Sequence, residues 1–187
     1  NLGIHFMYLL PFDSNNALIE STVLSSQVLP VRWYNHQIKQ YLSKYYSITD
    51  LNIIKRERGI IPLERLYSDD AFGIPIGMRA GALRASSGYA FSQIQKQISE
   101  MVNGDKFDVA KPGCDATEAW MDQVLLRVLR TAPKRAPELF MSIAEAIDGD
   151  SFARFMRGHG DLKGRIRIMS KLPAGLFLKA ALSRDRL

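Results

Sequence analysis

Two apolar runs, GIHFMYLLPF (residues 3–12) and ALIESTVL (residues 17–24), are separated only by Asp13-Ser-Asn-Asn16. A link that short cannot carry a parallel crossover, which takes about a dozen residues or more, so the two runs pair as an antiparallel hairpin. The turn-forming Asp, Ser and Asn residues agree with that assignment. Neither run alternates cleanly between apolar and polar residues, which predicts that both faces of the hairpin are covered. Glu20 is then the anomaly. It shares a face with Leu18, Thr22 and Leu24, while Ala17, Ile19, Ser21 and Val23 take the other face, which is no wetter. A carboxylate in such a place is costly unless it is paired or protonated, and apolar surroundings favour the neutral acid. The residues leave two readings open. Glu20 is a general acid, or it is a structural carboxylate at a sheet edge or paired with an arginine such as Arg79 or Arg84.

Beyond the hairpin, Tyr34, Ile38, Tyr41, Leu42 and Tyr45 recur at helical spacing. A third strand is expected over 51–61, ended by Pro62, and a short one over 73–77. A helix is expected from Ser86 or Ser87, with Phe91, Ile94, Ile98 and Met101 on its apolar face and Asn103-Gly-Asp105 as its stop. After about residue 115 the pattern is helical throughout, punctuated by Pro133, Pro137, Gly149, Gly158, Gly160 and Pro173. The fold class is therefore α+β, strands first and helices last, with a soft boundary at 103–115.

Charge is distributed unevenly. Residues 154–187 hold nine Lys and Arg against two Asp and Glu, whereas residues 1–153 are close to neutral. In the tail, Leu162, Ile166 and Met169 form an apolar stripe flanked by Lys163, Arg165, Arg167 and Lys171. That is the pattern of a basic amphipathic helix at a membrane surface, or of a docked helix with a solvated basic face. Nucleic acid is disfavoured, because no exposed aromatics interleave the charges. The single cysteine, Cys114, excludes an intrachain disulfide framework, and the three histidines lack metal-ligand spacing, so no metal is expected. No apolar run reaches the roughly 18 residues of a spanning helix. The chain opens at Asn1 without an initiator Met or targeting signature, which suggests a piece of a longer protein.

Gly77, Gly81 and Gly88 bracket a loop of small residues, GMRAGALRASSGY. Such a loop lets backbone approach a ligand closely, and a following helix N-terminus suits a phosphate or an electron-rich ring edge. It is neither a P-loop nor the G-x-G-x-x-G fingerprint. An ordinary strand–helix turn with a capping serine accounts for it equally well.

Four blocks resemble the C-terminal portion of the lycopene β-cyclases, in that family's order. FMYLLPF with ALIEST resembles its aromatic-Tyr-x-x-Pro-Phe strand and Leu-Ile-Glu-Asp-Thr block. ERGIIPL resembles its Glu-x-Gly-x-x-Pro block. GMRAGALRASSGYAFSQIQ resembles its glycine-rich loop and helix, and FMRGHGDLKGRIRIMSKLPAGLFLKAAL its closing segment. Three positions depart from the family pattern: Ser21 replaces the second acidic residue, Ala85 stands where Pro is usual, and Ser87 where Thr is. The G-x-G-x-x-G nucleotide-binding half does not occur in this chain.

The resemblance implies a two-domain flavoprotein that closes β-ionone rings on lycopene, using reduced FAD with NAD(P)H as reductant. It divides the chain into substrate-domain strands and helix (1–72), a flavin-contacting loop and helix (73–104) and a helical region with the basic tail (105–187). By it, Glu20 is the catalytic acid and Glu57 a second acid or base, unless Glu57 is a plain strand-end salt bridge. Gly81, Ala82, Ser86, Ser87, Gly88 and Tyr89 contact the flavin, and Tyr8 and Tyr89 line a polyene channel or belong to the core. The implied partners are an acyclic carotenoid, the membrane surface and the N-terminal half, in a cytoplasmic, peripherally membrane-associated and bacterial setting. Without that half the isolated chain is expected to be inactive. The competing readings are a related isoprenoid reductase or monooxygenase, and a non-catalytic membrane-associated interaction domain.

Overall fold

The computed structural model describes residues 3–63, 73–104 and 116–183, and its contacts divide the chain into two units, residues 1–60 and 61–187. Residues 64–72 and 105–115, the latter most of the expected soft boundary at 103–115 and including Cys114, lie outside the described residues. The described fold is mixed: one two-stranded antiparallel sheet, the remainder helices and loops.

In the first unit, β1 (Ile4–Pro11) and β2 (Ala17–Leu24) form the hairpin in full register, from Ile4 opposite Leu24 to Pro11 opposite Ala17. Asp13 makes the turn. One carboxylate oxygen accepts the backbone N–H groups of Asn15 at 2.7 Å and Asn16 at 2.8 Å, an arrangement that replaces ladder bonds with side-chain bonds. α1 (Val31–Tyr46) follows Pro30 and ends at Ser47, in the left-handed conformation at φ 57°, with Ile48 N–H donating to the Leu42 carbonyl at 3.2 Å. The His5 ring meets Trp33 of α1 edge-on at 4.9 Å, so α1 lies over the sheet face of His5 and Ser21. On the opposite face Tyr8, Leu10, Leu18 and Glu20 are exposed, while Ile4, Phe6, Thr22 and Leu24 are half-buried.

Residues 51–61 are not a strand. They run irregular and almost wholly exposed, because no neighbouring edge among the described residues supplies a ladder and the Lys55–Arg58 charges favour water. Nor is there a strand at 73–77. The chain bends there into a 3₁₀ turn, Gly77–Ala80, closed by Gly81 at φ 73°.

In the second unit α2 (Phe91–Asn103) begins later than expected. Gly88, at φ 71°, and the N–H groups of Ser87 and Gly88 returning to the Arg84 carbonyl make residues 84–89 a tight turn that no right-handed helix can include. Asn103-Gly104 stops the helix as predicted. The expected apolar face is met only in part: Ile94 and Met101 are half-buried, Phe91 and Ile98 are exposed, and the fully buried positions are Gln93 and Gln97. The glutamines are held by backbone groups. Gln93 donates to the Arg157 carbonyl at 2.8 Å, and Gln97 accepts from Gly77 N–H at 3.0 Å and donates to the Ala80 carbonyl at 3.1 Å.

The helical prediction beyond 115 holds. α3 (Ala116–Thr131), a 3₁₀ turn (Pro133–Arg135), α4 (Ala136–Glu145), α5 (Gly149–Met156), α6 (Leu162–Lys171) and α7 (Ala174–Leu182) succeed one another. Asp148 caps α5 through Ser151 N–H at 2.9 Å, and Asp161 caps α6 through Gly164 N–H at 2.8 Å. Ile143, Phe155 and Ile168 form a core cluster, with Met121, Leu125 and Leu172 packed against it.

Candidate functional site

The hairpin face opposite α1 carries Ile4, Phe6, Tyr8 and Leu10 from β1 and Leu18, Glu20, Thr22 and Leu24 from β2, as period-two alternation and the register require. Tyr8 lies directly opposite Glu20, and the Phe6 and Tyr8 rings meet edge-on at 5.4 Å. Tyr8 is 59% exposed, so it is not a core residue. Leu10 and Leu18 are exposed beside it. Glu20 is exposed too, and its carboxylate accepts the Thr22 hydroxyl at 2.5 Å. The expectation that both sheet faces are covered fails here. α1 lies over the other face, and at the turn end of this one Tyr8, Leu10 and Leu18 are exposed around a single carboxylate.

Arg84, one of the two arginines expected as a partner for Glu20, is committed to Asp122. Glu57 is not brought to Glu20 by any hydrogen bond or ion pair. It pairs with Lys55 at 2.5 Å, both side chains more than 70% exposed. The hydrogen bond from Lys55, then its charge, hold the Glu57 carboxyl below the usual carboxylate range, the wrong direction for a proton donor.

In the second unit, Gly81, Ala82, Ser86, Ser87, Gly88 and Tyr89 belong to one loop folded on itself. Arg84 N–H donates to the Tyr89 carbonyl at 2.9 Å and Ala82 N–H to the Gly77 carbonyl at 2.9 Å, while Ser86 N–H reaches the Asp122 carboxylate at 3.3 Å. Ala82 is completely buried. It shapes the loop from within and offers no surface to a ligand. Ser87 and Tyr89 remain exposed, and the Tyr89 hydroxyl lies 3.0 Å from that of Ser92 in the first turn of α2. Ala90, the N-cap of α2, supplies no capping side chain, so that helix terminus keeps unpaired polarity suited to an electron-rich or anionic edge. On that observation Ser87, Gly88 and Tyr89 fit a flavin contact.

Sequence reasoning missed what holds the loop. Arg84 is 3% exposed and its Nε contacts both carboxylate oxygens of Asp122 at 3.3 Å. Its guanidinium also donates to the Phe155 carbonyl and stacks over the Phe155 ring at 4.7 Å. One turn earlier on α3, buried Glu118 pairs with Arg165 of α6 at 2.9 Å. A signal for both acids exists. Glu118, Asp122, Leu125 and Leu129 recur at spacings of four, three and four, which places the carboxylates on the inward stripe of α3. A cavity of about 270 Å³ between α5 and α6, lined by Arg154, His159 and Arg165 among others, contains none of the candidate residues.

The family model described as "Lycopene cyclase protein" matches residues 2–182. The chain belongs to the lycopene cyclase family. A lycopene β-cyclase from Paracoccus sp. (strain N81106 / MBIC 01143) is 30% identical over 61% of this chain and 30% of the relative. The lycopene cyclase chain described here thus corresponds to under a third of the length of that curated relative. No solved structure matches the present chain. Among the described residues no helix is long and apolar enough to cross a membrane.

Proposed function

We propose that this chain is the C-terminal part of a lycopene β-cyclase, in which Glu20 donates the proton that starts ring closure. The support is one juxtaposition: in a lycopene cyclase family member, a single carboxylate stands opposite Tyr8 on a sheet face that is apolar but for Thr22, with Tyr8, Leu10 and Leu18 exposed around it. A polyene is a hydrocarbon with no polar group for a site to hold. An extended strip of Phe6, Tyr8, Leu10 and Leu18 is the kind of surface it occupies, by apolar burial alone.

The chemistry that follows is a balanced isomerisation. Glu20, protonated, gives H⁺ to the terminal trisubstituted alkene, leaving a tertiary cation. The neighbouring double bond attacks that cation and forms the ring bond, and the cyclic cation then loses a proton that returns, directly or through water, to the Glu20 carboxylate. A carboxylic acid is a weak donor toward an alkene, so water must be excluded while the transfer occurs. Substrate lying on the strip removes water from around Glu20, and the first step needs its carboxyl in the protonated state. The Tyr8 ring opposite presents π density to the developing cation.

Ser87, Gly88 and Tyr89, with the start of α2, would hold the isoalloxazine edge of FAD. Bound there, FAD in its reduced form, with NAD(P)H as reductant, would supply electron-rich stabilisation of positive charge without net redox change. Ser21, in place of a second acid, confines proton donation on this strand to Glu20.

The test is Glu20→Gln in the full-length protein, assayed anaerobically with lycopene and reduced flavin. Glutamine keeps the shape and the Thr22 hydrogen bond but has no acidic proton. Ring formation is expected to fall by at least 10²-fold. Cyclisation near the parent rate removes Glu20 from the mechanism.

A further inference from the structure

We propose that the cavity between α5 and α6 binds a small phosphate monoester, a phosphoryl group carrying a short apolar substituent. The cavity measures about 270 Å³, and its wall is divided by chemistry. Ser151, Arg154, His159 and Arg165 supply hydrogen-bonding groups, while Ile147 and Phe155 supply apolar surface. Arg154 makes no ion pair among the described residues. Its guanidinium donates to the Ser151 hydroxyl at 3.1 Å. The Asp148 carboxyl, lowered first by its bond from Ser151 N–H, feels the Arg154 charge least. The His159 ring makes no hydrogen bond among the described residues. Arg154 and His159 are both exposed, so an occupant reaches them from solvent.

The remaining wall is held in place before any ligand arrives. Arg165 Nη2 meets Glu118 Oε1 at 2.9 Å, and that carboxylate is 1% exposed, which fixes the guanidinium. Phe155 is gripped by Arg84, which donates to its carbonyl and stacks over its ring. A preorganised wall loses little freedom on binding.

Charge favours an anion as the occupant. Residues 154–183 hold seven Lys and Arg against one acid, Asp161. Asp161 also lines the cavity, but its carboxylate is engaged as the cap of α6, accepting Gly164 N–H at 2.8 Å. A metal cation would face two guanidinium groups and is excluded on that ground. Guanidinium groups meet phosphoryl oxygens through paired N–H donors. A phosphoryl group has three oxygens for Arg154, His159 and the Ser151 hydroxyl, where a carboxylate has two. The apolar wall then asks for more than the bare ion: inorganic phosphate leaves Ile147 and Phe155 against water, and a substituent covers them. The volume lies at the small end for ligand pockets, which limits that substituent to a few carbons.

The experiment is isothermal titration calorimetry of the protein at low ionic strength with inorganic phosphate, n-butyl phosphate and n-valerate. n-Butyl phosphate is expected to bind about tenfold more tightly than either of the others, by apolar burial over the first and by charge-assisted hydrogen bonds over the second. Arg154→Gln and His159→Gln are each expected to weaken n-butyl phosphate about tenfold, the worth of one hydrogen bond to a charged group. Arg157→Gln, which removes an exposed cation of the same helix end that does not line the cavity, is expected to change it by less than about twofold. All three side chains are exposed, and circular dichroism checks that the variants fold. Four results overturn the proposal. They are no binding by the parent protein, equal losses in Arg154→Gln and Arg157→Gln, valerate as tight as the ester, or inorganic phosphate as tight as the ester. The second would reduce binding to general attraction, the third would exchange the phosphoryl group for a carboxylate, and the fourth would remove the substituent. Neither carotenoid nor flavin takes part, so the outcome is separate from that of the cyclase reading.

Discussion

Replacing Asp122 with alanine is expected to destabilise residues 61–187 severely. The guanidinium of Arg84 is 3% exposed and the carboxylate of Asp122 4%, so removing the acid leaves a charge without its counterion in a place water does not reach. Breaking one side of a buried pair costs about 3 to 5 kcal/mol. At about 3 °C per kcal/mol for a domain of this size, the melting temperature falls by roughly 10 to 15 °C. The Phe155 carbonyl and ring still contact Arg84, which holds the loss toward the lower end. Removing both charges reverses most of it. Arg84→Met with Asp122→Leu fills the same space without burying an ion, and buried pairs exchanged for packed apolar side chains are often neutral or stabilising. Differential scanning calorimetry and urea unfolding of the parent, both single variants and the double close the cycle, with an expected coupling of about 2 kcal/mol or more. A loss under about 1 kcal/mol for Asp122→Ala, or a double variant no better than that single one, would refute the reasoning that this pair is closed to water.

Gly158→Ala should destabilise more than Gly88→Ala. Both glycines have positive φ, at a cost of about 1 kcal/mol for any side chain, but a Cβ at Gly158 would meet Gln93 Nε2 at 2.8 Å, while one at Gly88 meets only ordinary contacts from 3.6 Å; comparable melting temperatures would contradict this. Glu57→Gln should leave both stability and cyclisation by the full-length protein unchanged, because its pair with Lys55 is solvated. A large loss of activity would restore Glu57 as an acid. The Ser151 N–H bond lowers the Asp148 carboxyl below its reference of 3.8, so the cap contributes fully above that pH and is lost as pH falls through the depressed value. Asp148→Asn keeps an acceptor without the titration, and its acid unfolding profile should flatten in that window.

The hairpin was legible in the chain because a four-residue link permits only one pairing, and the run of C-terminal helices because apolar residues at 3.6-residue spacing demand them. The residues that share a face with Glu20 followed from alternation. That Tyr8 stands across from it required the register, which the turn at Asp13 sets. Other features were decided only in three dimensions. Residues 51–61 have strand-like composition, but a strand exists only where another edge offers hydrogen bonds. α2 shows two plausible faces, and its glutamines point inward because backbone carbonyls at Ala80 and Arg157 wait there. Arg84 and Asp122 lie 38 residues apart, and no local period records that one will neutralise the other. Periodicity reports which side chains lie together on an element. What lies opposite them is a property of tertiary packing, and for a buried charge it determines whether the residue stabilises the fold or breaks it.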